Sequence, residues 1–403
     1  MLEKRSLTPG SLRAHWTLDE DVTFLNHGAF GATPRPVLEV AARIRAELER
    51  EPVRFFEQTY EGLLERARAE VALFVGARPE DLAFVPNTTT AVNAVLGSLE
   101  LGPGDVILST DHAYNACKNA VEFATRRAGA TVHVVRIPLP LEDPGEVVER
   151  IVAAATSKVK LALVDHVTSQ TGLVFPIESI VRSLKERGIE TLVDGAHAPG
   201  MLPLRIAELG AAYYAGNFHK WVCAPKGSAM LWVRPDKQAG LHPTTISHGY
   251  TSARARPRFL EEFDWTGSFD PSAYLAVPEA IRFVGGLLPG GWSAVYERNR
   301  AMALEARRRL SEALSVAPVA PESMIGSLAS VPLPDAPPGA SSIPPTEPLH
   351  RALADEHRVQ VPVFVWPAPP KRLIRVSAHL YNTELDYEAL VQALNAALRR
   401  AQP

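Results

Sequence analysis

The chain has 403 residues, 46% hydrophobic and 22% charged, with a net charge of −3 from 42 basic and 45 acidic side chains. That length can bury a large core divided over two domains. The near-balanced charge, free of any like-charge block, argues against nucleic acid or a membrane surface as partner. Cys117 and Cys223 are too few for a disulfide framework and lack metal-ligand spacing, so no metal is expected and a reducing, cytoplasmic setting is. The opening MLEKRSLTPGSLRAHW carries charge with no apolar core behind it, unlike a signal peptide. No apolar run approaches the length of a bilayer span.

In chain order, an amphipathic helix is expected over residues 61–75 and a strand over 82–85, followed by a helix opening near residue 88. LGPGDVILS (101–109) reads as a Gly-Pro turn feeding a buried strand, and a further strand falls at 131–137. A helix at 144–155, a strand at 161–166 and a helix at 177–187 capped by Gly188 follow, then strands at 191–194, 211–215 and 229–233. Short apolar runs alternating with helices predict an α/β fold with a mostly parallel seven-stranded sheet. RARPR at 254–258 reads as a solvated loop. Beyond residue 280 come a helix at 296–314 and a proline-rich stretch, 331–348, read as a linker or mobile loop. A helix at 347–357, strands at 359–365 and 373–377 and a last helix at 385–400 complete a smaller α+β domain. The expected division is a large domain, 26–280, and a small one, 281–403, with 1–25 packing on either.

Chemistry concentrates in the middle of the chain. Asp194 ends the apolar run TLVD, at the strand edge where open α/β sheets bind ligands. Lys220, in AGNFHKWVCAPKG, follows another strand-like run in an apolar, aromatic setting that can lower its pKa. A strand-end carboxylate beside such an amine suits a cofactor needing a pyridinium partner and a Schiff-base lysine. Thr88, Thr89 and Thr90 fall at a helix N-terminus, where free N–H groups favour an anion. Capping would need one of the three.

With these residues in view, the chain resembles the class V aminotransferases, of fold type I among pyridoxal-phosphate enzymes, and within them the isopenicillin N epimerase-like and C–S lyase branch. The resemblance rests on LNHGAFG (25–31), NTTTAVN (87–93), DHAYNAC (111–117), DHVTSQTG (165–172), VDGAHAPG (193–200), NFHKW (217–221), DWTGSFDPSA (264–273) and IRVSAHLYN (374–382), which span nearly the whole chain in order. It implies that Lys220 forms the Schiff base with pyridoxal 5'-phosphate and shuttles the α-proton, while Asp194 pairs with the pyridine nitrogen. His112 would stack over the ring, with Tyr114 its rival or a general acid. His197 would lie near the ring or its phenolic oxygen, and Ser169 would bond that oxygen. Thr89, Thr90, Asn217 and His219 would hold the phosphate, and Ser268 would reach the phosphate of the other subunit in a homodimer. Arg375 would grip the substrate carboxylate, helped by Asn26 or His27. Trp221 and Cys223 read as packing.

The branch includes several reactions at the α-carbon of an amino acid. Desulfuration needs a nucleophilic cysteine before the carboxylate-binding arginine, and RVQVPVFVWPAPPK (358–371) has none. Epimerisation needs a second acid opposite Lys220, which Tyr114 or a histidine could supply; β-elimination from a cysteine conjugate and transamination use the same site. Epimerase is the expected reaction, with C–S lyase or aminotransferase the alternatives. A silent binding protein is disfavoured by the intact Lys220, Asp194 and Arg375. A nucleotide-binding enzyme is disfavoured by the lack of a glycine-rich phosphate loop.

Overall fold

The structure is a computed structural model and describes residues 12–339 and 347–400. Its strands are β1 (Thr23–Phe24), β2 (Leu82–Val85), β3 (Val106–Thr110), β4 (Thr131–Val135), β5 (Val159–Asp165), β6 (Glu190–Asp194), β7 (Tyr213–Asn217), β8 (Ala229–Val233), β9 (Leu328–Leu333), β10 (Val359–Gln360), β11 (Val363–Val365) and β12 (Arg372–Ser377). Seven form the central sheet in the order β2-β8-β7-β6-β5-β3-β4. Neighbours from β7 to β4 run parallel, and β8 is antiparallel to both β2 and β7.

The apolar runs are continuous because the sheet is buried on both faces. Successive side chains alternate between two cores: Leu82, Leu108, Val164, Val193 and Tyr214 join one, while Ala83, Ile107, Leu163, Leu192 and Ala215 join the other. The helix Ile177–Lys185 closes through a Gly188 N–H to Lys185 carbonyl bond and an Ile189 N–H to Leu184 carbonyl bond, with Gly188 left-handed at φ 73°.

The smaller C-terminal sheet has the order β11-β12-β9. It corrects the reading of 331–348 as a linker: residues 331–333 belong to β9, with Pro332 opposite Leu373. The edge position of β9 tolerates a residue without an N–H. Pro348 starts the helix Pro348–Asp355, capped by the Glu347 carboxylate, which accepts from the His350 N–H at 2.6 Å. The part of that reading at residues 340–346 lies outside the described residues. The strand expected over 359–365 is two: β10 pairs with β1, and β11 pairs with β12. Through β1, and through Trp16 packed on His379 and Tyr381, the described part of the N-terminal segment joins the C-terminal layer. No helix among the described residues is long and apolar enough to cross a membrane.

Candidate active site

Parallel strands deliver their C-terminal ends to one edge of the sheet. Asp165 ends β5 and Asp194 ends β6 directly beside it in register; Asn217 ends β7, and Lys220 follows three residues on. Facing them is the start of the helix Thr88–Ser98. Together they enclose a cavity of about 280 Å³, lined also by Phe30, Tyr114, Ser169, His197 and His219. The loop at residues 25–31 closes over Lys220: a Cβ on Gly31 would lie 2.5 Å from the His219 carbonyl oxygen, so only glycine allows this approach.

Burial holds the Lys220 amine at a pKa of about 8, with Asp194 opposing the shift. Its Nζ lies 3.1 Å from His197 Nε2. Asp194 Oδ1 accepts from the Ala196 N–H at 3.0 Å and Oδ2 from the Cys117 thiol at 3.2 Å. Burial and the neighbouring carboxylates push that thiol's pKa up, so Cys117 is a donor here. Asp165 has its pKa pushed well above the carboxylate range, by burial first and by Asp194 next, and its Oδ2 is buried without a hydrogen-bond partner among the described residues. Its place at the end of LALVD mirrors that of Asp194 at the end of TLVD, and this is the signal that marks it in the sequence.

At the helix start the cap is Asn87, whose Oδ1 accepts from the Thr90 N–H at 2.8 Å and hydroxyl at 3.0 Å. Thr90 thereby joins the cap and does not line the cavity. Thr88 donates its N–H and hydroxyl to Asn217 Oδ1, at 2.9 and 3.0 Å. Thr89 faces the cavity. His219 Nδ1–H donates to the Ser228 carbonyl at 2.9 Å, and burial lowers its pKa to about 4, leaving it neutral.

Arg375, on β12, is buried behind Ser169. It donates to the Ser169 carbonyl and to Asn26 Oδ1 at 3.4 Å, lies 5.0 Å over the Phe364 ring, and has a buried Nε without a hydrogen-bond partner among the described residues. Burial lowers its pKa to about 10, and its hydrogen-bond partners among the described residues are neutral oxygens. A guanidinium so placed is set for an incoming carboxylate.

Two expectations fail on geometry. His112 is buried away from the cavity, with Nδ1 2.8 Å from the Thr171 hydroxyl, Nε2 2.8 Å from the Ile137 carbonyl, and its ring on Trp366. Tyr114, 47% exposed, occupies the cavity wall instead. His27 is fully buried behind the lysine: Nε2–H donates to the Lys220 carbonyl at 2.9 Å and Nδ1 lies 2.6 Å from the Tyr381 hydroxyl. It therefore braces the chain at Lys220, out of reach of a substrate. His27, Cys223 and His379 have metal-like spacing, but the His27 Nε2 proton already committed to a carbonyl removes one ligand. Ser268 is exposed and off this cavity.

An amine, strand-end carboxyls and an anion-ready helix start, set on one edge of a mostly parallel sheet with a smaller C-terminal domain, define an α/β enzyme of fold type I. The sequence profile of the aminotransferase class-V family matches residues 24–329, and the chain belongs to that pyridoxal-phosphate-dependent family. It is 38% identical over 397 residues to an isopenicillin N epimerase of Amycolatopsis lactamdurans, covering 95% of this chain and 96% of that one. It is 29% identical over 405 residues to a probable chloroplastic L-cysteine desulfhydrase of Arabidopsis thaliana, covering 94% and 84%. A solved complex of the cystine C–S lyase C-DES with cysteine persulfide shares the fold, with a TM-score of 0.78 at 22% identity over 93% of this chain and 97% of that one.

Proposed function

We propose that the chain epimerises an amino acid at its α-carbon. The observation that carries this reading is the Lys220 amine, shifted toward its neutral form, sharing a cavity with Asp194, with Tyr114 and with the anion-ready start of the helix Thr88–Ser98. The residues fit pyridoxal phosphate: Asp194 for the ring nitrogen, Thr89 and Asn217 for the phosphate, joined by His219 once the phosphate's charge draws a proton to its Nε2, and His197 and Ser169 toward the ring. The bound cofactor supplies a carbonyl carbon for amines and a ring that takes up the electron pair left when a Cα bond breaks.

The chain's own groups do the rest. Arg375 and Asn26 orient the substrate carboxylate. Lys220 takes the α-proton, and Tyr114, reaching the same cavity from a different element, returns one to the other face. Residues 26–280 serve as the cofactor domain and 281–403 as the smaller domain, in a cytoplasmic homodimer to which Ser268 contributes across the interface.

The L-cysteine desulfhydrases among the relatives support a second reading, C–S lysis, in which Tyr114 protonates the departing sulfur. Proton NMR in deuterated water, with the holoenzyme and a panel of amino acids and cysteine conjugates, separates the two. Loss of the α-proton signal with inversion of an intact substrate supports epimerisation; a keto acid with a released thiol replaces it with lysis.

A further inference from the structure

The sequence alone marks Trp221 as packing, and its side chain is fully buried. Its indole nitrogen nevertheless points at a specific atom: Nε1–H donates to His197 Nδ1 at 3.3 Å. An indole N–H can only donate, so His197 Nδ1 must carry a lone pair. Neutral imidazole holds one proton, which is thereby assigned to Nε2, the atom 3.1 Å from Lys220 Nζ. A donor at Nε2 requires an acceptor opposite, and an amine accepts only when it is unprotonated.

We propose that Trp221 is a positioning residue that fixes His197 in its Nε2–H tautomer, so that His197 presents a donor to the unprotonated Lys220 amine and favours that nucleophilic form. This deepens the reading of Lys220 as the cofactor-binding amine and rests on it. The alternative tautomer would set an imidazole N–H against the indole N–H between two buried rings, leaving two buried donors facing each other. The groups acting on Lys220 are Asp194, Arg375, Cys117 and Asp165; those acting on His197 are Lys220, Arg375 and His27. Burial and the lysine push the His197 pKa well below its ordinary value, which agrees with a neutral ring whose tautomer decides what it offers. His27 completes the brace by holding the Lys220 carbonyl from the far side.

The test uses cofactor-free protein, so its outcome is independent of whether the cofactor assignment holds. Nitrogen NMR of the histidine-labelled chain, with His197 assigned by the His197→Gln spectrum, should show a single Nε2–H tautomer between about pH 9 and pH 10, where Lys220 is unprotonated. Replacing Trp221 with β-(3-benzothienyl)alanine keeps the bicyclic shape and puts sulfur where the N–H was; Trp221→Phe is the second variant. Either should give mixed tautomers. In trace acetic anhydride labelling read by mass spectrometry, either should also move the Lys220 midpoint up by about one pH unit, the size expected for one lost hydrogen bond. An Nδ1–H tautomer in the parent protein overturns the proposal, as does an unmoved tautomer or labelling midpoint in the variant that keeps the ring.

Discussion

Lys220→Met in the cofactor-free protein should raise stability at neutral pH. The folded lysine has a pKa of about 8 against an ordinary 10.5. At about 1.4 kcal/mol per pH unit this shift disfavours the charged folded state by about 3 kcal/mol. Part of the residue stays open to the cavity, and water there makes that figure an upper bound. The sign follows from proton binding. Below about pH 8 both states hold the proton and the full penalty applies. Between about 8 and 10.5 the unfolded chain holds a proton the folded one has lost, so the parent protein gains stability as pH rises. Methionine, of similar length and uncharged, should therefore add up to about 3 kcal/mol at pH 7 and little near pH 10.5. Urea denaturation of both proteins at the two pH values measures this. An equal gain at both would mean improved packing, and no gain at pH 7 would mean that the amine is not strained by burial; either result refutes the electrostatic account.

Arg375→Ala should raise the substrate KM about 10- to 150-fold, the value of one charge-assisted hydrogen bond of about 1.5–3 kcal/mol, with a smaller effect on kcat; steady-state kinetics with an unchanged KM would place the carboxylate elsewhere. Tyr114→Phe should retain deuterium exchange at the α-carbon while losing inversion, because one of two proton-transfer faces goes silent; inversion at the parental rate, followed by chiral chromatography, would exclude Tyr114. Asn87→Ala removes the acceptor that caps the helix Thr88–Ser98, costing about 1 kcal/mol. Calorimetry should show the lower melting temperature, and an unchanged one would mean that the helix start is held by Asn217 alone.

The sequence by itself determined the strands of the central sheet and that Lys220 and Asp194 meet at its binding edge. Parallel strands buried on both faces need uninterrupted apolar runs, and the residues ending such runs, Asp194 and then Lys220 beyond the next, reach the binding edge wherever the helices lie. The same logic marked the helix start at residue 88, since three hydroxyls there exceed what a cap requires. What lay beyond sequence reasoning was orientation. His112 and His27 sit in motifs as suggestive as the one around His197, yet their rings turn into the fold, because each finds a carbonyl and a hydroxyl partner there. Asn87, one residue upstream of the threonines, took the cap and drew Thr90 with it. Asp165 lines the cavity because the register of β5 on β6 sets it beside Asp194. Residues 331–333 became a strand because β12 offered a pairing partner and an edge where Pro332 is tolerated. In each case the residue types allowed two outcomes, and contacts between segments far apart in the chain, absent from any local pattern, selected one.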